Sequence, residues 1–174
     1  MSTKKIIVVV GSTVIIFIVG IIGYQYSNQL TKKTPQIHYH AGFIVYVRGE
    51  RKDFSGSQYM KIEPCTTAGS ERKEDDQLEK AHLHSGVGDV VHVHREGAVW
   101  KDLFTNIKFP VSNEPVTGYV NSIQTDRILD TPIRPYDSVV FAFGTVPDEA
   151  TTAGISQEHI IAVERTKEQC GNGQ

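Results

Sequence analysis

Thiols and net charge are what this 174-residue chain has least of: two cysteines, and 20 acidic residues against 18 lysines and arginines, for a net charge of -2. So small a balance leaves no electrostatic footprint for nucleic acid. If the two cysteines are bridged, soft thiolate ligands are absent as well. Motifs of hydrolases and transferases are missing too. There is no G-x-S-x-G, no H-E-x-x-H, no phosphate-cradling glycine loop and no thiol nucleophile with a base beside it. Disorder is excluded by the low charge bias together with 39% hydrophobic and 9% aromatic residues. With 15 glycines and seven prolines, one loop-rich domain containing β-structure is expected.

Histidine, by contrast, is organised. Six of the seven histidines stand in H-x-H doublets, His38 with His40, His82 with His84, and His92 with His94. Chance placement at this composition would give well under one such doublet. Residues two apart in a strand point to one face, so each doublet sets two imidazoles side by side, and imidazole is the commonest metal ligand. Four to six convergent imidazoles suit Zn²⁺, Cu²⁺ or Ni²⁺.

The longest apolar run is Ile6 to Gly23, 18 residues without a charge. As a helix it is about 27 Å long, the short end of a membrane span. A cleaved signal peptide is the alternative, but no small-x-small site follows the run, whose exit is Tyr24-Gln25-Tyr26-Ser27-Asn28. Residues 1–27 are therefore read as a signal-anchor, 28–36 as a juxtamembrane linker and 37–174 as a histidine-rich domain. Lys4 and Lys5 before the run nearly balance Lys32 and Lys33 after it. The short N-terminus favours a cytoplasmic start and an extracytoplasmic domain in the cell membrane. In that compartment Cys65 and Cys170 read as a disulfide, closing a loop of about 105 residues and stabilising by up to ~4–5 kcal/mol.

Ile37 to Val47 alternates with period two, a strand, and Arg48-Gly49-Glu50 is a turn leading to a short strand at 51–54. Residues 64–80 are polar and read as a surface excursion pinned by Cys65. Ala81 to His94 reads as a hairpin, with strands 81–85 and 90–94. An odd loop such as Val87-Gly88-Asp89 sets His84 opposite His92 and His82 opposite His94, so that all four rings share a face, whereas an even loop would put the two doublets on opposite faces. Leu83, Val91 and Val93 then point into the core, leaving a histidine-lined outer face on a half-buried sheet.

The period changes at Gly97 to Ile107, where Val99, Trp100, Leu103, Phe104 and Ile107 mark one face of a helix covering the sheet. Strands are expected at 117–123, 127–129 and 138–143. Ser156 is an N-cap for a terminal helix, with Cys170 clamping it and Gly171 ending it. Asp53, Asp89 and Glu96 are acids within reach of assisting a metal, although Glu96 also suits a helix entry; His159 reads as a surface residue.

Residues 118–144, GYVNSIQTDRILDTPIRPYDSVVFAFG, resemble the closing strands of β-grasp (ubiquitin-like) domains, with the step Pro132-Ile133-Arg134-Pro135-Tyr136-Asp137-Ser138-Val139 before the last strand. The resemblance implies an α+β fold in which a mixed sheet packs on one helix. The C-terminal Gly-Gly of the superfamily's sulfur carriers is not found, and their activity is not implied. Over its whole length the chain also resembles membrane-anchored bacterial and archaeal proteins with paired H-x-H motifs, a likeness that implies no mechanism.

Three functions are compatible with this sequence. The first is a membrane-tethered extracytoplasmic domain binding Cu or Zn for metal acquisition, buffering or sensing. The second is a metalloenzyme with an open three-histidine site, and the third a non-metal interaction module of an envelope complex with a pH-responsive histidine surface. Protein partners are not indicated.

Overall fold

The computed structural model describes residues 20–21, 37–61, 75–111 and 114–166. The chain divides into two compact units, Met1–Thr34 and Pro35–Gln174. In the first, Gly20 and Ile21 are described, and both are helical.

The second unit is α+β. Its elements are β1 (Tyr39–Val47), β2 (Glu50–Arg51), α1 (Asp76–Lys80), β3 (Val90–Val93), α2 (Trp100–Asn106), β4 (Val116–Val120), β5 (Ile123–Thr125), β6 (Ser138–Phe143) and α3 (Gln157–Glu164). Short 3₁₀ turns lie at Ser57–Tyr59, Ile128–Asp130 and Asp148–Thr151. The six-stranded sheet runs β2-β1-β6-β4-β5, with β3 also paired to β1. β1 and β6 are parallel, and the other pairs are antiparallel. One edge of β1 is thus shared: β3 takes Tyr39–Gly42 and β2 takes Tyr46–Val47.

The period-two pattern of β1 explains this central place. Ala41, Phe43 and Val45 enter the main core, while Ile44 and Tyr46 on the opposite face enter a second one with Tyr119, Val140, Ala142 and Ala150. Apolar side chains on both faces suit a strand covered from both sides. On the first face α2 lays down Trp100, Leu103 and Phe104. Its rings meet the sheet edge to face: Phe104 stands 5.0 Å from Phe141 and Trp100 5.3 Å from Phe141. The Asp102 carboxylate caps the start of α2 by accepting from the Val99 N–H at 3.0 Å.

The second face is covered by the 148–155 segment and α3, which corrects the expectation of a half-buried sheet with an open histidine face. Ser156 caps α3 as expected, its hydroxyl accepting from the His159 N–H. Ile160 and Val163 pack on Val90. This hydrophobic burial holds α3 on the sheet, and no disulfide is present among the described residues. The expected Cys65–Cys170 clamp is withdrawn as part of the fold; both cysteines lie outside those residues.

The single-pass anchor is corrected likewise. Among the described residues no helix is long and apolar enough to cross a membrane. The longest of α1 to α3 has eight residues, about 12 Å against a hydrocarbon layer of about 30 Å. The anchor, the membrane as a partner and the extracytoplasmic placement are therefore not supported; apart from Gly20 and Ile21, residues 6–23 lie outside the described residues.

Local expectations were altered in several places: the short strand expected at 51–54 is the two-residue β2, and the strand expected at 81–85 is reduced to isolated bridges at His82 and Leu83. The strand expected at 127–129 is replaced by the 3₁₀ turn Ile128–Asp130, entered through Arg127 at φ 51°. The strand expected at 117–123 is a hairpin of β4 and β5, turning at Asn121 and Ser122 with φ of 50° and 68°. Within the excursion, Asp75 accepts from the Gln77 and Leu78 N–H groups and starts α1, where a loop was expected.

Gly42 shows how tightly the second face is closed, since a Cβ there would collide with the Ile155 side chain. Gly42→Ala is expected to destabilise the domain by ~1–3 kcal/mol, because the packed sheet leaves Ile155 little room to move. Urea unfolding of the variant beside the parent chain measures this.

Candidate metal centre

Three neighbouring segments bring the histidines together. β1 pairs with β3 so that His40 lies opposite His92. On the other side of β3, His82 and His92 exchange both backbone hydrogen bonds, at 3.0 and 2.9 Å. His40, His92 and His82 therefore form a row across β1, β3 and the bridge segment at His82, with His92 in the middle. The pairing of His82 with His92 differs by two residues from the expected pairing of His82 with His94. The reason is the turn: the register centres the reversal on Val87, one residue earlier than expected, with a tight turn at Ser85-Gly86 (φ of 57° and 74°) closed by the Val87 N–H donating to the His84 carbonyl. A slip of two residues leaves side-chain parity unchanged, so the doublets still share a face and Leu83, Val91 and Val93 are still core.

Distant elements hold the 82–84 segment in place. The Asn106 side-chain amide, at the end of α2, donates to the Gln77 and Ala81 carbonyls at 2.8 and 2.7 Å. The His94 N–H donates to the Glu79 carbonyl at 2.9 Å, tying the end of β3 to α1.

All six predicted histidines gather here, and their ring nitrogens fall into two sets that could hold a metal ion: His38, His40 and His92, and His82, His92 and His94. His84 belongs to neither set but stands beside His92, ring centroids 3.8 Å apart. His40, His92 and His82 are buried, with exposures of 0%, 3% and 4%. His38 is exposed, while His84 and His94 are intermediate.

Hydrogen bonds orient these rings. His82 Nδ1 lies 2.9 Å from the Leu78 carbonyl, a contact that requires Nδ1–H to donate and leaves the lone pair on Nε2. Both ring nitrogens of His40 are buried without a hydrogen-bond partner among the described residues. The Glu164 carboxylate stands 4.0 Å from His40 Nδ1 and itself accepts from the Tyr136 hydroxyl. Glu79 plays a similar part for His94, its Oε2 lying 3.8 Å from Nδ1, and it also pairs with Lys61.

Glu79 and Glu164 were not found from the sequence. Asp75 as an N-cap was the signal for Glu79, since it opens a helix that ends just before His82. Glu164 follows Ile160 by four residues and so continues the buried face of α3. The acids singled out instead are elsewhere: Asp53 accepts from Ser55, Asp89 faces His159 at 3.1 Å, and Glu96 is exposed. His159, nearly half exposed, lies outside both metal sets, as expected.

Burial sets the charge state of the row. Desolvation lowers His40 and His82 from 6.5 to about 3, and it is also the largest cause of the lowering of His92, with neighbouring imidazoles adding to it. Near neutral pH these rings are therefore neutral, the form that binds a metal.

Comparison with known proteins adds no relative: no family model, no curated protein and no solved structure matches the chain.

The lowered histidines make a prediction for the metal-free chain. Above pH 6.5 neither the folded nor the unfolded form protonates them. As pH falls from 6.5 towards 3, the unfolded chain takes up protons that the fold excludes, so stability is lost at ~1.4 kcal/mol per pH unit for each such ring. Denaturation midpoints between pH 7 and 5, above most carboxylate titration, should fall with decreasing pH; a flat profile would contradict the burial argument.

Proposed function

We propose that this domain binds a transition-metal ion, zinc or copper, through its paired histidines and serves metal acquisition, buffering or sensing. The observation that carries the reading is His40. A fully buried imidazole with neither nitrogen hydrogen-bonded costs about 1–3 kcal/mol. Placed with His38 and His92 in a set of nitrogens mutually within 4.8 Å, it acquires a partner when an ion is coordinated. The nearby carboxylates fit the same chemistry, since acids behind ligating imidazoles orient them and raise their basicity.

The metalloenzyme reading has one observation in its favour. Each set offers three histidines, and a tetrahedral ion would keep one position for water. Burial of His40, His82 and His92 speaks against the third reading, because a pH-responsive surface needs exposed rings.

The likeness to β-grasp domains is proposed as one of chain course. It is supported by parallel β1 and β6 at the centre, β4 and β5 beyond them, and α2 across one face.

The test uses the full chain without a histidine tag, stripped of metal and titrated calorimetrically with Zn²⁺ and Cu²⁺. Tight binding is expected, with an unfolding free energy raised by ~2.7 kcal/mol at a hundredfold excess over Kd. Affinity no better than that of a chain with the six doublet histidines replaced by glutamine would refute it. Glu79→Gln is expected to weaken binding by about 10–100-fold. A ligand water exchanging on the bound ion would favour the enzyme.

A further inference from the structure

The two sets of three histidines have one member in common. His92 stands between its neighbours, with His40 across one side of β3 and His82 across the other. Its two ring nitrogens can each bind a metal. We infer that the cluster takes two transition-metal ions, one with His38 and His40 and one with His82 and His94, and that the His92 ring bridges them. This rests on the metal-binding reading above. Loading the second nitrogen forms a metal–nitrogen bond and displaces the ring proton, which passes to water.

Ring spacing within each set suits the ligands of one ion, and the two sets abut, His38 standing 4.9 Å from His94. With metal–nitrogen bonds of about 2.0–2.1 Å and tetrahedral angles, rings on one ion have centroids roughly 5 Å apart. In the His82, His92 and His94 set the separations are 5.7, 5.4 and 5.5 Å. In the other set His38 is 5.0 Å from His40 and 4.8 Å from His92, whereas His40 and His92 are closer, at 3.6 Å. That pair must spread slightly to take an ion. Charge is arranged in the same duplicate way: Glu164 stands behind His40 in the first set and Glu79 behind His94 in the second. Each dication would thus have its own carboxylate close to a ligating ring, which a single shared ion would not need.

The experiment loads the full, untagged, metal-stripped chain with Cu²⁺, counts bound copper per chain after desalting, and compares the electron paramagnetic resonance signal with that count. Two coppers are expected, with a signal well below two independent spins, because a bridging imidazole couples them. His38→Gln with His40→Gln, and separately His82→Gln with His94→Gln, should each leave one copper at full signal. One copper per wild-type chain overturns the two-ion inference while metal binding stands; no copper overturns both. Two coppers with fully independent signals overturn the bridge. A folded double variant that keeps two ions, or none, overturns it too, and where a variant fails to fold the wild-type count and signal still decide.

Discussion

The pairing of β1 with β3 that sets His40 opposite His92 is the constraint on which the centre depends. β3 is only four residues long, yet it is flanked on both sides, by β1 and by the bridge at His82. Because strand pairing aligns side chains on one face, this short piece of ladder carries three imidazoles into a single row. Shifting either pairing by one residue would send half of them to the other side, into the core now filled by Leu83, Val91 and Val93.

The sheet around that row is built to hold it still. α2 packs aromatic rings on one face of β1 and β6, and its last residue, Asn106, reaches back to the carbonyls of Gln77 and Ala81. α3 closes the other face and brings Glu164 towards His40. The same packing that excludes water lowers the proton affinity of the buried rings, and so keeps them in the form that ligates a metal. Stability and ligand chemistry therefore have one source here: coverage of β1 from both sides.

Much of the fold was legible where the pattern is local. Alternation announced β1, the spacing of Trp100, Leu103 and Phe104 announced α2, and Ser156 announced α3. Legibility failed where the determinant is a turn or a distant partner. The tight turn at Ser85-Gly86 moved the centre of the reversal from Gly88 to Val87, which moved His82 from His94 to His92. Residues 127–129 have a strand-like composition, but a left-handed Arg127 leads them into a 3₁₀ turn. α1 was hidden in a charged stretch because its stability comes from the Asp75 cap and the contacts of Gln77 with α2, not from an apolar stripe.

By itself the sequence determined which residues are candidate ligands and which are core. The H-x-H doublets and the apolar residues between them obey a period of two, and that parity survives any slip by an even number of residues. Tertiary structure alone decided that the face carrying the imidazoles is buried instead of open, that His92 is the ring between the other two, and that Glu79 and Glu164 stand behind the cluster. These features arise from contacts between segments far apart in the chain, such as His40 with Glu164, and no local period encodes such a contact.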